Sequence, residues 1–312
     1  MIESLSLAAE VTLALHNLNS EGTEGNQQQT RMVHVVDATG KRHSVNAISG
    51  DMFKHIYVRH LTAILQAQGQ PLSSGAAAGK ADRVTVDPGF KAAIKGRGIA
   101  DVQREMLERC AVTDIAGTLF TEGITVPRKS CVEFGWVIGI PGKVHTGQYF
   151  HVKYEPERRK ISSQAQRGEG TIAGAQTIFH RPASSGVYAL ICHLEISRIG
   201  VNDVTLDRSI SCESQAARKR AAIQALLATL IRPDGAQCNT QAPHVLECSG
   251  ILTTSRAYVA APMLSPLSEN YRNDINSIAE TLNRLSPGAI ESRPFDSLAS
   301  VVALLEAVSS QT

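Results

Sequence analysis

The sequence predicts an α+β fold, and three observations predict it. Leu5, Leu7, Ala9, Val11, Leu13 and Leu15 alternate with mostly polar neighbours, the period of two expected of a half-buried strand. Asp51–Gln68 and Ser211–Ile231 instead repeat their apolar residues every three to four positions, as amphipathic helices do. Cys131–Ile140, Gly186–Ile196 and His244–Leu252 are apolar runs of strand length. In chain order the longest elements read strand, helix, strand, strand, helix, strand, which is the ferredoxin-like arrangement.

Each element has local reasons. The first strand ends at the polar turn His16-Asn-Leu-Asn-Ser-Glu-Gly22, followed by a glutamine-rich loop to Arg31. Met32–Val36 and Lys41–Ile48 flank Asp37-Ala-Thr-Gly40, a hairpin turn. Ser49 or Asp51 can cap the next helix by accepting hydrogen bonds from its first free amides. Phe53, Tyr57 and Leu61 form its apolar row, while Lys54, His55 and Arg59 place positive charge close to its start, where free amides already favour anions. The Gly- and Ala-rich stretch Gly69–Gly98 reads as a mobile insertion with a short helix near Phe90–Lys95, and a further helix covers Asp101–Cys110. Cys131–Ile140 reads as one buried strand closed by Pro141-Gly142. Lys143–Arg181 is polar and basic, with Tyr149–Tyr154 and Thr171–Phe179 as arms of a long projecting hairpin. A loop of that length inside a compact domain is more often functional than idle. Arg232-Pro-Asp-Gly235 stops the second long helix, and helices over Leu267–Leu285 and Phe295–Val308 finish the chain.

Composition narrows the functional classes. With 312 residues and 43% hydrophobic content the chain can bury a sizeable core. A formal charge of +2 supplies no global attraction for nucleic acid, so any such binding has to come from local patches. The six cysteines lack a C-x-x-C pair, which predicts reduced, buried thiols and no metal site; no cofactor is expected. No secretory leader or membrane-length apolar run is present, so a soluble cytoplasmic protein without membrane contact is expected. No phosphate-binding, serine-hydrolase or zinc-protease motif occurs. Asp51/His55 and Asp114/Glu122 are not separable from caps and surface charges, and His16, His34 and His193 sit in strand-like runs as structural histidines. The chain is not expected to be an enzyme. Small, polar and basic residues instead recur at element ends, a pattern suited to phosphates. Aromatic residues make up only 4%, which argues against a base-stacking platform and for sequence-independent binding.

Several of these segments are also found together in a known family. The chain resembles the backbone subunit (Cas7 family, DevR autoregulator group) of type I CRISPR Cascade effector complexes. The likeness rests on His16–Gly22, on Asn46-Ala-Ile-Ser-Gly-Asp-Met-Phe-Lys-His-Ile56, on Cys110-Ala-Val-Thr-Asp-Ile-Ala-Gly-Thr-Leu119, on Pro182-Ala-Ser-Ser-Gly-Val-Tyr188 and on Asp234-Gly-Ala-Gln237, in family order over roughly residues 5–255. It implies an RRM-like palm (1–59, 121–142 and 182–260), a helical fingers insertion (60–120), a β-hairpin thumb (143–181) and C-terminal helices (261–312). It implies a non-catalytic subunit that polymerises along guide RNA (crRNA) and presents it to a target DNA strand. Its partners would be further copies of itself and other Cascade subunits of the Cas5, Cas6, Cas8 and small-subunit types. The RNA-binding residues it implies are Asn19 and Arg31 after the first strand, and Ser49, Lys54 and Arg59 on the first helix. Lys153, Arg158, Arg159 and Arg181 follow in the thumb, with Ser184, Ser185 and Gln237 in the later motifs. The group's name leaves a transcriptional autoregulator as the alternative, with a small-molecule enzyme behind it. Subtype and copy number are not readable from one chain.

Overall fold

The computed structural model describes residues 1–19, 21–25, 27–153, 177–236, 238 and 241–312. In chain order the strands are β1 (Ser4–His16), β2 (Thr23–Glu24), β3 (Gln27–Gln28), β4 (Met32–Val36), β5 (Arg42–Ile48), β6 (Thr118–Phe120), β7 (Val126–Arg128), β8 (Val132–Phe134), β9 (Val137–Lys153), β10 (Thr177–Glu195), β11 (His244–Ser255) and β12 (Ile290–Phe295). The helices are α1 (Gly50–Ala67), α2 (Ser74–Ala77), α3 (Pro88–Ala93), α4 (Ile99–Arg109), α5 (Ala111–Ala116), α6 (Cys212–Ile231), α7 (Tyr271–Leu285) and α8 (Leu298–Ser309), with a 3-10 turn at Arg83–Val86.

One large sheet organises the molecule, in the order β12-β11-β1-β10-β9-β5-β4. β1 lies at its centre, antiparallel to both neighbours, with Leu7 opposite Cys192 on β10 and Leu252 on β11. Leu5, Leu7, Ala9, Val11 and Leu13 join the core with α1 and α6, the two helices that follow the pattern read from the sequence, whereas Leu15, expected in the same row, is exposed with a positive φ. Ser49 caps α1 through a hydrogen bond from the Met52 amide at 3.1 Å, which decides between the two candidate caps. Tyr57 ties α1 to α6 by donating to the Ala222 carbonyl at 3.0 Å, and its ring packs against Phe134 with centroids 5.8 Å apart. On the opposite face Ala8 and Ile251 meet Tyr271 and Ile275 of α7, so both faces of the central strands are covered.

Several expectations change. Cys131–Ile140 is not one strand, and Pro141-Gly142 does not end it. β8 stops at Phe134, and β9 starts at Val137 and runs on to Lys153. Continuity is possible because Gly139 pairs with Tyr188 while Val144 pairs with Gly186, so the intervening residues bulge out of the ladder opposite Val187. Proline is tolerated in such a bulge because it owes the ladder no donor there. Gly69–Gly98 holds α2, the 3-10 turn and α3, stitched by Asp87, which accepts from the Ser74 and Phe90 amides at 3.0 Å each. α1, by contrast, spans Gly50–Ala67 much as read from the sequence, burying Leu61 and Leu65. The chain end contains a strand, β12, between its two helices, and the first of these begins at Tyr271.

The six cysteines are free; four are buried, whereas Cys212 is exposed and Cys238 intermediate. Burial pushes the Cys131 and Cys248 thiols up to about 12, well outside the range of a reactive thiolate. His193 bonds Ser6 Oγ at 2.8 Å, as a structural histidine should. His34 is exposed on β4, and His16 is buried with no hydrogen bond to either ring nitrogen among the described residues. No group of three or more metal-ligating side chains occurs among the described residues, and no helix there is long and apolar enough to cross a membrane.

Candidate nucleic-acid interface

Four element ends meet at one corner of the sheet. β1 leaves the ladder at a register shift between Leu13 and His16. Leu15 there donates its amide to Ser185 Oγ at 2.9 Å. Leu18 is fully buried, and its carbonyl accepts from the Ala236 amide at 3.2 Å, so the loop after α6 lies on the loop after β1. That crossing requires Gly235, because a Cβ would stand 2.8 Å from both the Leu18 carbonyl oxygen and its side chain.

Asn19 joins the two loops to α1. Its buried carboxamide Oδ1 accepts from the Ser49 amide and hydroxyl, both at 3.3 Å, and its Nδ2 donates to Glu21 at 2.8 Å. Glu21 pairs with Arg31, whose guanidinium lies 5.2 Å from the Trp136 ring centroid. Asn46 fixes the same loop from below, donating to Thr30 and to the Arg31 carbonyl and accepting from Tyr188 at 2.9 Å. Arg59, on the next turns of α1, pairs with Asp234 at 2.9 Å. Asn19, Arg31, Ser49, Arg59 and Ser185 are thus drawn into one corner by direct contacts.

The other predicted positions are placed differently. Ser184 is buried, with its hydroxyl 2.8 Å from Thr146 Oγ1, so it is engaged inside the sheet. Arg181 sits on the β9–β10 hairpin with its guanidinium 4.9 Å from the Phe179 ring centroid, beside a cleft of about 390 Å³ that also includes Tyr149, His151 and His244. Lys153 is the last residue of β9. Arg158, Arg159 and Gln237 lie outside the described residues.

Lys54 faces away from that corner into a groove of about 570 Å³ between α1 and the insertion. Four fixed cations line it (Lys54, Arg59, Lys80 and Arg83) against one carboxylate, Asp51, with His55 also on the wall. Burial, with the Arg83 charge adding to it, holds the Lys54 ammonium below its usual range. Burial likewise lowers Arg83. Neither forms an ion pair within 4 Å among the described residues. Lys80 and Arg83 were not among the predicted site residues, because nothing in a Gly- and Ala-rich segment marks two cations as facing a lysine some thirty residues earlier.

Comparison with known proteins now bears on this arrangement. Residues 7–276 match the family described as CRISPR-associated negative auto-regulator DevR/Csa2. The chain belongs to the DevR/Csa2 family. A curated relative, the CRISPR-associated aCascade subunit Cas7/Csa2 2 of Saccharolobus solfataricus, is 25% identical over 237 residues, covering 69% of this chain and 68% of that protein. A chain of a solved CRISPR RNA-guided surveillance complex in its pre-nicking state aligns over 99% of both chains with a TM-score of 0.53 and 14% identity. The second likeness is one of fold: a mixed α+β protein built on a large antiparallel sheet. As a DevR/Csa2 protein, the chain carries the Asn19–Ser49 junction and the cationic groove within the span that matches the family.

Proposed function

We propose that this DevR/Csa2 protein is a non-catalytic Cascade backbone subunit that binds guide RNA, polymerises along it, and presents it for pairing with target DNA. The observation that carries the reading is the cationic groove along α1, in which Arg59 pairs with Asp234 while Lys54, Lys80 and Arg83 have no ion pair within 4 Å among the described residues. A groove with that imbalance suits a phosphate backbone, and it needs no base-reading aromatics.

The architecture supports a hand-shaped subunit. The strand order β11-β1-β10-β9, with α1 and α6 packed against it, supports reading this part as an RRM-like palm. The segment from α2 to β7 would be the fingers, and the far part of the β9–β10 hairpin, within 143–181, the thumb. Copies of the chain, other Cascade subunits and the guide would be its partners, in the cytoplasm.

The test is to purify the protein at low salt, read its 260/280 nm absorbance ratio, and size it before and after RNase. RNA-loaded particles that shrink on digestion are expected. A nucleic-acid-free protein that also fails to bind added single-stranded RNA would overturn the reading. The family's auto-regulator description favours one alternative, a regulator of transcription. Duplex DNA that displaces bound RNA at equal concentration would favour that alternative instead.

A further inference from the structure

The groove beside α1 has a second wall, and its construction is not explained by folding alone. Arg83 is one of three non-glycine residues in the described chain with a positive φ, here 45°. That conformation is strained for an arginine, and such strain persists only where surrounding structure enforces it. Here Gly75 of α2 enforces it: a Cβ on Gly75 would stand 2.1 Å from the Arg83 carbonyl oxygen, so the two backbones touch. The Arg83 Nη1 is held by the Gly117 carbonyl at the far side of the insertion, while its buried Nε has no partner among the described residues.

The result is a guanidinium fixed beside another cation. Arg83 opposes Lys54 strongly enough to act with burial in lowering the Lys54 ammonium. Asp51 and Glu133 offset only part of this effect at Lys54, so two cations held together raise the energy of the empty groove. Exposed Lys80 stands on the same wall, and Asp51 is the one carboxylate lining the space among the described residues. A bound anion would turn this repulsion into attraction at both side chains at once.

We infer that Arg83, with Lys80 behind it, forms with Lys54 a two-sided seat for a phosphodiester group of single-stranded RNA. The insertion is therefore part of the RNA site and not a spacer beside it. The inference rests on the guide-binding reading and sharpens it. The seat takes phosphate without regard to base, since the rest of the wall is mostly small or aliphatic, including Val58, Thr62, Ala63, Ala76 and Ala77, with His55 the one ring among the described lining residues. An arginine supplies directional donors to a phosphate, whereas a lysine supplies a point charge, so the two are not equivalent here.

The experiment is a salt titration of the full chain binding a single-stranded oligouridylate, read by fluorescence anisotropy. Wild type, Arg83→Gln, Arg83→Lys, Lys80→Gln and the remote control Arg104→Gln are compared, with circular dichroism reporting folding. Each lost phosphate contact should reduce the slope of log K against log salt by about 0.7. Arg83→Gln is expected to lose that amount of slope and about tenfold in affinity, with Arg83→Lys recovering part of the affinity and Arg104→Gln unchanged. Inorganic pyrophosphate should compete with RNA on the wild type far better than uridine does.

A wild type that binds no RNA overturns the guide-binding reading itself. A wild type that binds RNA while Arg83→Gln and Lys80→Gln keep its slope and affinity overturns the seat and leaves that reading standing. Should Arg83→Gln fail to fold, exposed Lys80 and the pyrophosphate competition decide alone: an unchanged Lys80→Gln slope with no competition counts against the seat.

Discussion

The insertion carries two clusters of cations, and they are built on opposite principles. Between α5, β7 and α6, Arg128 and Arg218 converge on the fully buried Asp114. Arg128 Nη2 donates to Asp114 Oδ1 at 2.7 Å and Arg218 Nη1 to Oδ2 at 3.0 Å. Arg128 Nη1 reaches Asp203 at 2.7 Å, and its other donors go to the carbonyls of Asp114, Val201 and Arg198. Arg218 adds the Leu107 carbonyl and Gln70, and the Gly200 amide supplies another donor to Asp114. Every charge there has an opposite within the fold. In the α1 groove Lys54 and Arg83 form no ion pair among the described residues; Asp51 and Glu133 act on Lys54, and Asp82 on Arg83, only from a distance that leaves both lowered. Arginine alone therefore says nothing about function; the supply of counter-charge separates a structural cation from one left for a ligand.

Removing the shared carboxylate should break the first cluster. Asp114→Ala leaves buried Arg218 without a carboxylate and Arg128 with Asp203 alone, and is expected to cost about 3–5 kcal/mol in a urea unfolding experiment. Material that remains folded should bind RNA as the wild type does. A loss under about 1 kcal/mol would mean that water reaches these charges, and the contrast between the clusters would weaken.

A third buried group shows what happens with no counter-charge and no ligand. His16 lies at the end of β1, its ring 4.9 Å from that of Tyr188 at 75°, and burial lowers its pKa from 6.5 to about 4. It therefore stays neutral at pH 7. Between pH 6.5 and about 4 the unfolded chain binds the proton that the folded chain refuses, so stability should fall as pH drops through that window and be unaffected above it. The full effect is roughly 3 kcal/mol. His16→Phe should flatten this part of the stability–pH curve relative to wild type; parallel curves would show that the imidazole is solvated.

Such pairings were the least legible part of the sequence. β1, α1 and α6 could be read because one face of each packs on one core, and that leaves a local period. β12 left none: Ile290-Glu-Ser-Arg-Pro-Phe295 is an edge strand, where charge and proline guard the open side and erase alternation. α5 is buried on every side, so Ala111–Ala116 shows no polar face to mark it. At the interface, Ser49 was readable as a cap, and Lys54 as a cation near a helix start. The bond from Ser49 to Asn19 spans thirty residues, and Arg83 reaches Lys54 only because Gly75 pins its turn. No short-range pattern encodes either. Motif resemblance reached Asn19 without explaining it, and it missed Arg83.

The smallest effect sharpens the comparison most directly. Lys54→Met keeps an unbranched aliphatic stem in the half-buried position and removes only the charge. If Lys54 served the fold as Arg128 does, this change would destabilise the protein. Because Lys54 is partly desolvated and faces Arg83, removing its charge should leave stability unchanged or raise it by about 0.5 kcal/mol, discounted for the solvent that still screens the pair. RNA affinity should fall in the same variant. A site kept for a ligand is expected to lose binding and stability in opposite directions, because the repulsion relieved in the empty groove is the attraction an incoming phosphate would have used. Loss of stability in parallel with binding would instead place Lys54 among the structural cations and erase the distinction between the two clusters.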